Sequence, residues 1–313
     1  MRIAVMGSGG VGGFFGARLM KGGADVSFVA RGAHLAAMQT QGLAIESTDA
    51  SQSMHLPKVQ VTDDPSTIGP VDLVMFGVKL WDTESAARQL LPIMGPETAL
   101  ISFQNGVQKD DMLRPILGDK AIMGGVAYVG TSIARPGVIA QKGPLQRLVF
   151  GEFDGRTTPR ANAFLAACKA GGVNAEISAD IRREIWQKFV FLASMAAVTA
   201  ATRKSIGPVR SHPLTRQFFL DLMREVVAVG RAHGVAVAED FADQRLAASD
   251  TLHSDMTASM HHDLEHGNRL ELPWLSGGVV ELGAKVGVPT PLHRAVRDML
   301  VLHADGRAAA ARH

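Results

Sequence analysis

One cysteine stands in 313 residues. A lone thiol, Cys168, rules out an intrachain disulfide framework and fits a reducing, cytoplasmic setting. Set in "FLAACKAGG", it reads as helix packing and not as a nucleophile. A surplus of one charge is lacking as well. The 32 basic and 30 acidic residues leave +2 with no basic stripe, so nucleic acid is not an expected partner. Long apolar runs are also missing. The longest, Phe189 to Ala201, is flanked by charge and falls short of the about 18 residues that span a bilayer, so no membrane partner is expected. Nor is a cleaved leader expected, because processing would destroy a glycine motif that begins at residue 7. No internal repeat or low-complexity linker is apparent. At 46% apolar and 20% charged residues, the chain reads as a globular protein long enough for two buried cores.

What is abundant is glycine near the start, with six in the ten residues 7–16. Each costs roughly 0.5–1 kcal/mol relative to alanine inside a regular element, so the cluster needs a physical reason. Ile3 to Met6 reads as a buried strand and Phe14 to Met20 as a helix. Between them Gly7-Ser8-Gly9-Gly10-Val11-Gly12 fits G-x-G-x-x-G. In that context Gly7 makes the tight turn, Gly9 lets backbone approach a pyrophosphate, and Gly12 lets the helix pack on the strand. The helix N-terminus then offers unpaired N–H groups and partial positive charge to the phosphates. A second strand, Asp25 to Ala30, ends about 20 residues past the glycines, where an NAD-specific site places a carboxylate. This chain has Arg31 there. A guanidinium suits a 2′-phosphate, so NADP(H) is the expected cofactor.

Strand-like runs at 73–78, 99–103, 121–129 and 147–153, with a helical "ESAARQLLPIM" between the first two, indicate an α/β domain with a parallel Rossmann-type sheet. The segment "GVIAQKGPLQRLVFGEF", with glycine and proline at its middle, reads as a closing hairpin. "NAFLAACKAGG" follows as a helix and "VNAEIS" as an edge strand. From about Asp180 onward strand signals vanish. "IRREIWQKFVFLASMAAVTAAT" reads as one long helix, and "HPLTRQFFLDLMREVVAVGRAHG" starts at a proline and stops at Gly234. Further helices are expected at 239–249, 255–266, 274–286 and 291–304, and the tail "GRAAAARH" is expected to fray. The expected organisation is a dinucleotide-binding domain over 1–179 and an all-helical substrate and catalytic domain over 180–313, with the active cleft between them.

Four stretches now line up: "GSGGVGG", "GVKLWDT", "FQNGV", and "WQKF" paired with "SMHHDLEHGNRLEL". Together they resemble the 2-dehydropantoate 2-reductase (ketopantoate reductase) family over nearly the whole chain. The resemblance implies NADPH-dependent reduction of a small-molecule 2-oxo acid, ketopantoate to pantoate in the pantothenate pathway. From position alone Lys188 is a lysine covering helix surface. The resemblance makes it the general acid, and partial burial would bring its proton within reach of neutral pH. It makes Glu271, twelve residues after Ser259, a residue that positions substrate and cofactor, and Ser259 a holder of the substrate carboxylate. Asn105 then lies near nicotinamide and substrate, although Asn-Gly is also a common turn. Lys79 approaches the cofactor from the neighbouring strand.

The pattern also breaks. Where the family carries asparagines four and eight residues after the lysine, and a third before a glycine, this chain has Leu192, Ala196 and Ile206. Losing those donors predicts weaker selection for a hydroxylated substrate and a preference for a more apolar ketoacid, with Ser194 and Thr199 as candidate replacements. His262 and His266 lie one turn apart, but ketone reduction with a lysine acid needs no metal and none is expected. A β-hydroxyacid dehydrogenase and a non-catalytic NADP(H)-sensing protein remain as rivals. Apolar faces such as "WLSGGVVELGAKVGV" make a homodimer a candidate assembly.

Overall fold

The computed structural model describes residues 1–307. The expectation of fraying falls largely on 308–313, outside the described residues. Contacts divide the chain into two units: 1–105 with 109–184, and 106–108 with 185 onward.

The first unit alternates strands and helices: β1 Arg2–Met6, α1 Gly10–Lys21, β2 Asp25–Val29, α2 Gly32–Gln41, β3 Leu43–Ser47, β4 Met54–Leu56, β5 Gln60–Thr62, β6 Leu73–Phe76, α3 Thr83–Leu90, β7 Ala99–Ser102, α4 Lys109–Leu117, β8 Ile122–Arg135, β9 Val138–Gly151, α5 Pro159–Ala170 and β10 Asn174–Ile177. They form one sheet in the order β4-β3-β9-β8-β7-β6-β1-β2-β5, with β10 also on β9. Strands β7, β6, β1, β2 and the edge strand β5 run parallel. The runs of β1, β6 and β7 are nearly continuous in apolar residues because both faces are covered. Ile3 and Val5 enter one cluster with Phe14, Phe15 and Phe164, while Ala4 and Met6 enter another with Ala86, Leu90 and Leu113. This is the Rossmann-type α/β domain expected from the strand–helix alternation.

The expected hairpin is displaced. β9 runs unbroken from Val138 to Gly151 and pairs antiparallel with β8, so the reversal falls at Pro136–Gly137, with Gly137 at φ +78°. Proline followed by a positive-φ glycine closes a tight turn. Gly143 and Pro144, which look like a turn in the sequence, lie in an irregularity between the Thr131–Gln141 and Val129–Gln146 pairs. Their extra residues bulge out of the ladder instead of reversing it.

The second unit is helical in all its regular elements. α6 Ile181–Thr202 begins in the first unit and continues into the second, followed by α7 Ile206–Ser211, α8 Pro213–Ala232, α9 Phe241–Ser249, α10 Ser259–His266, α11 Ser276–Lys285 and α12 Pro291–Leu300. Its core gathers Trp186, Phe189, Phe219, Leu222, Met223, Leu264, Leu275 and Val296. By length and composition α6 could cross a membrane, yet 67% of its apolar window is buried in the protein, so it is a core helix here. The Glu225 carboxylate of α8 accepts the Leu292 and His293 amides at 2.7 and 3.0 Å, capping the start of α12. Cys168 is fully buried, and burial pushes its thiol up to about 12, which leaves it inert.

Candidate active site

The glycine motif joins β1 to α1, and each of its glycines meets a different constraint. Gly7 has φ +96°, and a Cβ there would lie 2.7 Å from the Val78 amide nitrogen. A Cβ on Gly12 would fall 2.2 Å from the Gly7 carbonyl oxygen and 2.9 Å from Val5, so the helix rests directly on the strand. A Cβ on Gly10 would meet the Thr131 carbonyl at 2.7 Å. At Gly9, the residue preceding α1, nothing lies within 4 Å. That peptide therefore faces open space at the end of a helix whose first-turn amides have no intrahelical partners. Val11 packs against the core. Ser8 turns inward: its amide and hydroxyl both donate to the Val29 carbonyl, at 3.1 and 2.9 Å, tying the loop to the end of β2.

Arg31 follows β2 as the residue preceding α2, with its side chain 56% exposed. Its Nη1 lies 3.9 Å from the Asp82 carboxylate, a loose surface pair worth little energy, so the guanidinium is available to an anion. One turn later His34 does structural work that the sequence reading missed. Its Nδ1 accepts the Gly137 amide at 3.0 Å, so Nε2 carries the hydrogen and donates to the Ser8 carbonyl at 2.9 Å. Burial holds its pKa below the usual imidazole range. The ring thus links the glycine loop to the β8–β9 turn.

Lys79 lies past the end of β6, exposed, with its ammonium 5.5 Å from the centre of the Trp81 ring. Asn105 follows β7 and is half-buried. Because β7, β6, β1 and β2 are adjacent and parallel, their carboxyl ends bring Asn105, Lys79, the glycine loop and Arg31 to one edge of the sheet, where open α/β sheets bind ligands.

In the second unit Lys188 sits in the second turn of α6, half-buried beside Trp186 and Phe189. Leu192 and Ala196 follow on the same face at one and two turns. Leu192 packs against the apolar core, and Ala196 and Ile206 are 1% and 0% exposed within it. Neither suggested replacement supplies the lost polarity. Thr199 donates to the Met195 carbonyl of its own helix at 2.7 Å. Ser194 is fully buried, six residues from Lys188 and on another side of the helix, and its hydroxyl has no hydrogen-bond partner. Ser259 is the exposed first residue of α10. Glu271 is 6% exposed between Leu270 and Leu272. The His261 ring ties α10 to α6 through the Thr199 carbonyl at 2.8 Å. His262 and His266 stack with ring centroids 4.0 Å apart, and among the described residues no group of three metal-ligating side chains gathers.

These features agree with comparisons to known proteins. A family model described as ketopantoate reductase PanE/ApbA matches residues 3–155, and its C-terminal companion matches 180–303. An uncharacterized oxidoreductase of Bacillus subtilis, YkpB, is 27% identical and covers 93% of this chain and 95% of its own. A 2-dehydropantoate 2-reductase of Mesorhizobium japonicum is 29% identical, covering 95% of each. A PanE/ApbA family ketopantoate reductase of Ralstonia eutropha superimposes with a TM-score of 0.88 at 32% identity, over 97% of this chain and 98% of the other. The chain belongs to the ketopantoate reductase family and is an oxidoreductase acting on CH–OH groups.

Proposed function

We propose that this protein uses NADPH to reduce the ketone of a 2-oxo acid in the cytoplasm, with Lys188 as the proton donor. The observation that carries the reading is the glycine loop: room at Gly9 for one ligand group, and none at Gly7, Gly10 or Gly12. Such a cradle fits a pyrophosphate held by backbone amides. Arg31 would hold the 2′-phosphate, and Lys79 and Asn105 would flank the rest of the dinucleotide. Reduced nicotinamide supplies the hydride when bound. Lys188 holds a proton at Nζ for the carbonyl oxygen and, as a cation, stabilises the charge developing there. Ser259 would bind the substrate carboxylate and Glu271 would orient the substrate.

A second reading concerns which ketoacid is used. Leu192, half-buried on the Lys188 face, offers no donor where the family carries an asparagine, and a wall without donors favours an apolar substrate side chain over the hydroxylated one of ketopantoate. NADPH oxidation by the purified protein against ketopantoate and branched or aromatic 2-oxo acids tests both. Turnover should need Lys188, so Lys188→Ala should lose at least about a hundredfold in kcat. Retained turnover in that variant, or no ketone reduced across the panel, would overturn the proposal. An unchanged NADPH-to-NADH preference in Arg31→Ala would remove Arg31 from it.

A further inference from the structure

A buried polar network lies beneath the sheet edge that carries Lys79 and Asn105, and the family pattern assigns it no role. Gln104 is 7% exposed and fully engaged. Its Oε1 accepts the Ser102 hydroxyl at 2.9 Å, and its Nε2 donates to the Val78 carbonyl at 3.0 Å and to the Thr83 hydroxyl oxygen at 2.8 Å. Thr83 passes its own proton to the Leu80 carbonyl at 2.8 Å. The carbonyls on either side of Lys79 are therefore both held, one by Gln104 and one by a threonine that Gln104 holds. Asn105 is the next residue along the chain.

The foundation is as deep as the clamp. Lys109, 1% exposed, donates to the Ser102 carbonyl at 2.8 Å and to both Asp110 carboxylate oxygens at 3.0 and 2.9 Å. Burial pulls the amine down and the carboxyl up from their usual pKa ranges, and each charge opposes the other's shift. A buried pair of this kind gives little net stability against an apolar substitute, but it fixes where its hydrogen-bond partners sit. On the far side, Val78 packs against Gly7 of the glycine loop, 2.7 Å from a Cβ built there. One amide side chain therefore joins three segments: the end of β7, the Val78–Leu80 turn and the start of α3.

We propose that Gln104 is a positioning residue for the cofactor, acting through Lys79 and Asn105, and that Thr83 shares the task. This rests on reading Lys79 and Asn105 as cofactor-binding residues. The test is a thermodynamic cycle on the full chain, with NADPH affinity read by nucleotide fluorescence. Gln104→Met keeps length and volume but removes the donors, and it should weaken NADPH binding about tenfold, as should Lys79→Ala. If Gln104 acts through Lys79 and Asn105, adding Gln104→Met to a Lys79→Ala/Asn105→Ala variant should change its NADPH affinity by less than about twofold. Additive losses, or an unchanged affinity in Gln104→Met while Lys79→Ala weakens binding, would overturn the positioning role and leave the functional reading standing. Unchanged affinity in both Lys79→Ala and Asn105→Ala would overturn the reading of those residues, and the positioning role with it. Should Gln104→Met fail to fold, Thr83→Val and Thr83→Ser serve instead. The hydroxyl-free valine should weaken NADPH binding and the serine restore it, whereas two equal affinities would overturn the role of the clamp.

Discussion

The Trp186 indole occupies the space a side chain on Gly230 would need: a Cβ there would lie 2.8 Å from Trp186 Cε3 and 3.2 Å from Cζ3. The indole also meets Phe189 edge-on at 6.0 Å and the His233 ring at 5.8 Å, so it has nowhere to retreat. Since Lys188 is two residues further along α6, this contact with α8 sets the rotation of the helix that carries it. Alanine at 230 would gain about 1 kcal/mol of helix propensity. Forcing the indole aside costs about 1–3 kcal/mol, so the overpacking wins. Gly230→Ala should lower urea stability by about 1 kcal/mol and reduce kcat. A more stable variant would show that Trp186 yields freely.

Two glycines of the dinucleotide loop should respond differently to the same methyl group. Gly12→Ala drives a Cβ into the Gly7 backbone carbonyl, which cannot swing away, so it should cost several kcal/mol or prevent folding. Gly9→Ala meets no protein atom and has an ordinary φ of −74°, so its melting temperature should match that of the parent chain. Its methyl should instead fill the space meant for a ligand, weakening NADPH binding by about tenfold or more. Calorimetry and nucleotide titration on the two variants check this. A Gly9→Ala protein that binds NADPH normally would remove the pyrophosphate from this loop.

The parts legible in sequence were those whose signal is local. β1, β6 and β7 are short apolar runs because both of their faces are covered, and α6 and α8 declare themselves by length and flanking residues. β4 and β5, three residues each, are too short for periodicity to register, and α2 buries only Met38 among its residues. The hairpin was misplaced because Pro136–Gly137 and Gly143–Pro144 carry the same local signal, and only pairing with β8 decides which one reverses the chain. The site followed the same rule. Glycine spacing is visible in a motif, but Gln104 acts on a carbonyl 26 residues away, and His34 on amide and carbonyl groups 103 and 26 residues away. Nothing adjacent to either residue marks those partners.

Substrate choice should shift if polarity is returned to the Lys188 face. Leu192 is the accessible candidate, being half-buried, whereas Ala196 and Ile206 are sealed in the core and would bury an unpaired amide. Leu192→Asn should raise kcat/KM for ketopantoate relative to an unhydroxylated branched 2-oxo acid by about tenfold, the worth of one hydrogen bond made in a protected site. The ratio is best measured in direct competition. No change in it would mean that residue 192 does not face the substrate.

Acid should weaken the helical unit through His293. Its ring is completely buried, with Nε2 donating to the Leu222 carbonyl at 3.2 Å and, in the neutral ring, Nδ1 accepting the Ser276 hydroxyl at 3.3 Å. Burial lowers its pKa to about 4, against the opposing hydrogen bond to Leu222. Above the ordinary value of 6.5 both folded and unfolded chains carry a neutral ring, and the contribution is fully present. As pH falls below 6.5 the unfolded chain takes up a proton that the folded one refuses, so stability declines until the folded ring titrates near 4. The loss over that window is on the order of 3 kcal/mol. Other groups titrate there too, so the informative quantity is the difference between the parent protein and His293→Gln, whose amide can occupy the same two hydrogen bonds without titrating. Denaturant midpoints at pH 7.5 and 4.5 should fall further in the parent than in the variant. Equal falls would mean that the ring finds water before it must accept a proton.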